Sequence, residues 1–153
     1  QAVMILKLGK SKCRTLLSNN YIGHLAYIYK NRPFVIPVTY YYDDSTNSLF
    51  GYSGNGHKIN ALRINNAVSL EVADIESVNT WKSVSVQGAF YELEGSTAKI
   101  NLHKFSEGVK RVVRIKEGRD LKYLSEFSSK IYKEGPPIVF KIDIEELTGR
   151  ERK

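Results

Sequence analysis

Alternating apolar and polar positions, broken by short polar turns, organise most of this chain. Tyr21 to Tyr29 (YIGHLAYIY) and Phe34 to Tyr42 (FVIPVTYYY) are rich in β-branched and aromatic residues, and Lys30-Asn31-Arg32-Pro33 between them reads as the turn of a β-hairpin. Asp43-Asp44-Ser45-Thr46-Asn47 forms a second turn into a third strand, Ser48 to Ser53. Alternation resumes in Ala67 to Ala73 and in Lys82 to Glu94, where Val84, Val86 and Phe90 share one pattern interrupted at Gly88. A glycine inside such a run predicts a bulge or a barrel corner. Pro136-Pro137 launches a last strand, Ile138 to Ile144.

Helical spacing marks other segments. Cys13, Leu16 and Leu17 place a short helix over Ser11 to Asn19, and Ile59, Leu62 and Ile64 place another over His57 to Ile64, ended by Asn65-Asn66. Thr97 to Phe105 and Leu121 to Ile131 also read as helix, while Arg111 to Ile115 fits helix or strand. Six strands in short connections, with helices after strands three and five, predict a mainly β (α+β) fold: an antiparallel sheet closed into a small barrel. The 153 residues make one domain, 1–153, with 1–10 as an N-terminal arm and 146–153 as a C-terminal tail.

No apolar run approaches the ~20 residues that span a bilayer, and Gln1-Ala2-Val3-Met4 lacks a signal-peptide pattern, so a cytoplasmic protein without membrane attachment is expected. A net charge of +7 favours anionic partners without choosing among nucleic acid, an acidic surface and a phosphorylated small molecule. Much of the excess lies in Lys110-Arg111, Arg114, Lys116, Arg119 and Lys122, read as a solvated face, and in Arg150, Arg152 and Lys153, read as a frayed tail. One cysteine, Cys13, excludes an internal disulfide, and the spread of His24, His57 and His103 argues against a metal site.

Candidate chemistry concentrates in Gly51-Tyr52-Ser53-Gly54-Asn55-Gly56-His57-Lys58, between the third strand and its helix. Glycines permit tight turns and close ligand approach, and His57 and Lys58 sit where a helix N-terminus would receive a phosphate. The Walker A reading fails, because His57 stands where that motif needs Lys and Ile59 where it needs Ser or Thr. A dinucleotide fingerprint fails on glycine order and on the lack of a βαβ unit. A plain glycine-rich turn with a solvated lysine remains the simpler alternative, although a cation in a first helical turn opposes the helix dipole.

The order of parts resembles the FMN-binding split-barrel family related to pyridoxamine 5′-phosphate oxidase, and within it the nitroimidazole-resistance branch. The residues that carry this are Ile22-Gly23-His24-Leu25-Ala26, Pro33-Phe34-Val35-Ile36-Pro37-Val38, Gly56-His57-Lys58 with Leu62-Arg63, and Trp81-Lys82-Ser83-Val84-Ser85-Val86-Gln87-Gly88. Glu146-Leu147-Thr148-Gly149-Arg150 is a weaker fifth segment. The resemblance implies a six-stranded antiparallel split β-barrel with short flanking helices, forming a homodimer with FMN at the subunit interface. It implies that the backbone of Ile36, Pro37, Val38 and Thr39 edges the isoalloxazine ring, that Ser53, His57 and Lys58 hold the phosphate with Gly54 and Gly56 allowing close approach, and that Ser83 reaches the flavin from the partner subunit. His57 departs from the arginine the family often carries before this lysine. Trp81 reads as a barrel-end or interface aromatic, and His24 as a hydrogen-bonded structural residue.

The function implied is an FMN-dependent oxidoreductase that passes electrons, from NADH or NADPH, to a small acceptor. No general acid, base or nucleophile stands out, which suits chemistry carried by a cofactor. Oxidation of pyridoxamine phosphate itself is not expected, because the family's C-terminal arginine set is not identifiable. The alternatives are a flavin carrier or sensor without turnover and, less favoured, a small basic barrel that binds nucleic acid through its tyrosines.

Overall fold

The computed structural model describes residues 4–121 and 137–153. In chain order the elements are β1 (Ile5–Lys7), α1 (Lys10–Ser18), β2 (Ile22–Tyr29), β3 (Arg32–Thr39), β4 (Tyr41–Asp43), β5 (Ser48–Ser53), α2 (His57–Ile64), β6 (Ala67–Ser77), β7 (Thr80–Leu93), α3 (Gly95–Glu117) and β8 (Ile138–Arg152). The eight strands form one antiparallel sheet in the order β3-β2-β6-β7-β8-β5-β4, with β1 added to β8. The hairpin turn is tighter than expected: Lys30 and Asn31 both have positive φ, as a two-residue type I′ turn requires, and Arg32 and Pro33 already belong to β3.

The expected single strand from Phe34 to Tyr42 is broken at Tyr40. This residue is buried, its N–H donates to the Tyr21 carbonyl at 2.8 Å and its phenol to the Leu17 carbonyl at 2.8 Å. Those two bonds turn the chain, so β3 and β4, neighbours in sequence, become the opposite edges of the sheet. The sheet wraps into a barrel whose edges are joined by one residue of chain and not by a ladder, which makes it split rather than closed. Leu25, Leu70, Val72, Val84, Val86 and Ile142 fill its interior.

Three further expectations are corrected. The second half of β8 is no frayed tail: Thr148, Gly149 and Arg150 pair with Ser85, Val84 and Ser83, and β1 pairs its other edge, drawing in part of the supposed N-terminal arm. A side chain at Gly149 would press on the Sγ of Cys13 at 2.6 Å, so strand and helix meet there without a gap. The third helix is not short. It runs from Gly95 to Glu117, absorbs the ambiguous Arg111 to Ile115, and ends where Gly118, at φ 67°, donates its N–H to the Arg114 carbonyl. Phe105, Val109 and Val113 form its buried stripe over Phe50, and Gly108 lets it approach Tyr41, whose ring a Cβ would meet at 2.2 Å. Leu121 packs in the same cluster outside any helix, and the rest of the helix expected to Ile131 lies outside the described residues.

Gly88 does mark a bulge, although the extra residue is on the partner strand. Gln87 pairs with Glu146 but Gly88 with Ile144, so Glu145 is left over.

Candidate functional site

β5 and α2 bracket the glycine loop. Gly51, however, belongs to β5, where a Cβ would strike the Phe140 ring at 2.6 Å, so this glycine serves packing and not a ligand. Gly54 and Gly56 face open space, and neither lies in the left-handed region, so what they offer is unobstructed backbone. Ser53 turns its hydroxyl onto the Gly54 carbonyl at 2.8 Å. No side chain caps α2 at Gly56, and its first turn holds no acid. Orphan amides at a helix N-terminus are ready donors for an anion.

Lys58 adds the charge. It is half-buried, burial holds its pKa below the usual lysine value, and it makes no hydrogen bond or ion pair with any described residue. A desolvated cation beside the positive end of a helix is an unfavourable arrangement by itself. A bound phosphate would answer the lysine and the amides together, so this cradle fits the phosphate end of FMN.

His57 is placed differently from a free phosphate ligand. Its Nδ1 lies 3.0 Å from the Tyr27 hydroxyl, and its ring packs against Tyr29 and Phe34, each with centroids 4.9 Å away. Tyr27, Tyr29 and Phe34 all point inward from the β2–β3 hairpin, an aromatic mouth that the strand pattern contained but that only the position of α2 turned into a histidine site.

Among the described residues β3 pairs only with β2, so its other side is an open edge. Backbone groups alternate sides along an antiparallel strand. Because the Tyr40 N–H points to β2, those of Ile36 and Val38 do as well, while Val35 and Thr39 direct theirs, and Pro37 its carbonyl, to the free side. Pro33 and Pro37 fit this, since a missing N–H is tolerated where no strand follows. Of the four residues expected at a ring edge, Thr39 therefore presents an N–H and Pro37 a carbonyl. Ile36 and Val38 shape the strand from the core side. Val35, which the sequence reading left out, presents the second free N–H.

Ser83 is elsewhere in the same chain. Its hydroxyl donates to Glu71 Oε2 at 2.8 Å, and the other carboxylate oxygen of Glu71 is 3.4 Å from His24 Nδ1, so one polar line crosses β2, β6 and β7 on the outward face. Glu71 was missed because alternation alone marks it only as a solvent-facing residue. Beside it stand exposed Ile22, Ile28 and Val35. Ser53 pairs with Ile138 at the start of β8 and Ser83 with Arg150 near its end, about 40 Å apart along the strand.

A family model described as pyridoxamine 5′-phosphate oxidase matches residues 9–151. An uncharacterized protein of Rhizobium meliloti is 34% identical over 86 residues, and that match spans 56% of this chain and 56% of the relative. The fold superimposes on the crystal structure of a FAD-binding protein from Mesorhizobium loti with a TM-score of 0.77 and 28% identity, covering 99% of each chain. It also superimposes on a candidate 5-nitroimidazole antibiotic resistance protein from Bacteroides thetaiotaomicron with a TM-score of 0.72 and 16% identity over 99% of this chain and 89% of that one, a likeness of fold alone. Among the described residues no helix is long and apolar enough to cross a membrane. With nearly the whole chain matched and the split sheet in place, this protein belongs to the pyridoxamine 5′-phosphate oxidase family.

Proposed function

We propose that this chain is an FMN-binding oxidoreductase of the cytoplasm that works as a homodimer, taking electrons from NADH or NADPH for a small acceptor. The observation that carries this reading is Lys58, half-buried and without a counter-charge among the described residues, beside the uncapped start of α2. The likeness to the FAD-binding protein of Mesorhizobium loti supports a flavin, and a cradle with one lysine and one helix start suits the single phosphate of FMN. FMN, when bound, supplies the electron-transfer chemistry itself.

The chain's own residues bind and orient. Lys58 and the first amides of α2 hold the phosphate. With Tyr27 donating to Nδ1, His57 keeps its proton on Nε2 and donates it to a phosphate oxygen. The Val35 and Thr39 N–H groups and the Pro37 carbonyl meet the polar edge of the ring. The exposed Ile22, Ile28 and Val35 give the outward face, beside Ser83, Glu71 and His24, an apolar patch suited to burial against a second copy, which supports a dimer.

Purified protein should be yellow and release FMN, not FAD, on denaturation. Anaerobic addition of NADH or NADPH should bleach the flavin absorbance. A flavin that neither donor reduces would leave a carrier or sensor, and a colourless protein that takes up no FMN would end the flavin reading.

A further inference from the structure

The second half of β8 alternates cleanly: Leu147, Gly149 and Glu151 are buried, while Glu146, Thr148 and Arg150 are exposed on the outward face. Arg150 stands directly opposite Lys7 of β1. Like charges in one cross-strand pair repel, and neither side chain makes a hydrogen bond or ion pair with any described residue. Glu71, the acid of this face on β6, is already shared by His24 and Ser83. Glu146 is equally without a partner among the described residues. It lies about 13 Å from Arg150 along β8, too far to answer it within one chain.

Thr148 is the midpoint between them. It pairs with Ser85 of β7, Ser85 with Glu71 of β6, and Glu71 with His24 of β2, so one row crosses four strands at a right angle to β8. A two-fold axis along that row, lying between two outward faces, reverses the strand direction and lays Glu146 of each copy over Arg150 and Lys7 of the other. An axis along the strands would instead set Arg150 over Arg150, so the charges favour the first. Self-complementarity of this kind is what an isologous interface requires. In the flanking rows Ser69, Ala26, Ala73 and Ser83 are short, which lets two sheets stack at their usual separation of ~10 Å.

We propose that the outward face binds a second copy of this chain about the Thr148 row, with Glu146 of each copy answering Arg150 and Lys7 of the other. This rests on the homodimer of the proposed function and adds to it the residues that select the partner and its orientation.

Sedimentation velocity on the purified full chain, supplied with excess FMN at low ionic strength, measures the dimer. Glu146→Arg and Arg150→Glu each turn two attractive contacts into repulsive ones, so each should raise the dimer Kd by about tenfold or more. Both positions are exposed, so neither change reaches the core. Mixing the two variants sets two basic positions of one copy against two acidic positions of the other, and heterodimers should form with close to wild-type affinity. Wild-type affinity in both single variants, or a mixture that associates no more tightly than either variant alone, would overturn the pairing while leaving a dimer built on other surfaces. A wild-type chain that stays monomeric at every concentration would overturn the homodimer and the pairing together, whatever flavin it carries.

Discussion

The Tyr27 hydroxyl lies 3.0 Å from Nδ1 of His57, joining the inward face of β2 to the first residue of α2. It holds the histidine in the aromatic mouth of the barrel, with Phe34 stacked on Tyr27 at 5.4 Å behind it. Tyr27→Phe keeps the ring and removes the bond, so about 0.5–1.5 kcal/mol of stability should be lost. Urea unfolding should show a lower midpoint at an unchanged slope. An unmoved midpoint would mean that ring packing alone places His57.

Lys58 has two measurable consequences. Lys58→Ala should weaken FMN binding about tenfold to a hundredfold, the range for one charge-assisted hydrogen bond, read by flavin fluorescence. Without flavin, burial holds the folded pKa of Lys58 below the unfolded value of about 10.4, so the unfolded chain binds this proton up to a higher pH. Stability of the flavin-free protein should therefore rise as pH climbs through the lowered value towards that of an ordinary lysine. Lys58→Met should lack this increment when chemical denaturation is compared across the alkaline range.

Asp43 fastens α3 to the β4–β5 turn. Burial would raise its carboxyl, but hydrogen bonds from Lys104, Ser45 and Thr46 outweigh burial and hold it below the usual carboxylate value. The stability this confers is full above the unfolded value of about 3.9 and is lost as pH falls through the lower folded one. Asp43→Asn should cost about 1–3 kcal/mol at neutral pH, because Lys104 loses its carboxylate. Its acid unfolding profile should be flatter than wild type below that carboxylate value, which circular dichroism at stepped pH would resolve.

The dimer can be tested at Val35, which is 64% exposed on the outward face. Val35→Glu places a charge within the apolar patch and should shift the protein to monomer in size-exclusion chromatography, with loss of bound FMN. A dimer of unchanged size would remove this face from the interface.

Much of the fold was legible because strand alternation and turn chemistry are local. The hairpin around Lys30-Asn31, the strand to Ser53, the helix from His57 and the bulge at Gly88 follow from residues within a few positions of one another. The break at Tyr40 was not legible, since aromatic residues on both sides continue the strand pattern, and the deciding bonds go to Tyr21 and Leu17. The length of α3 was obscured by Gly108, a weak helix former whose reason for being there is the ring of Tyr41, far away in sequence.

The same division holds for the site. By itself the sequence determined a basic, mainly β domain, a glycine loop followed by a helix, and a lysine poised at that helix's start, because each rests on composition or on neighbouring residues. Only the tertiary structure decided that, among the described residues, Lys58 is half-buried without a counter-charge and the prolines of β3 line a free edge, that His57 leans on Tyr27, and that Arg152 borders a cavity at the end of a paired strand. Burial, counter-charge and the direction of a backbone N–H are properties of what packs nearby, and in this fold those neighbours come from distant parts of the chain.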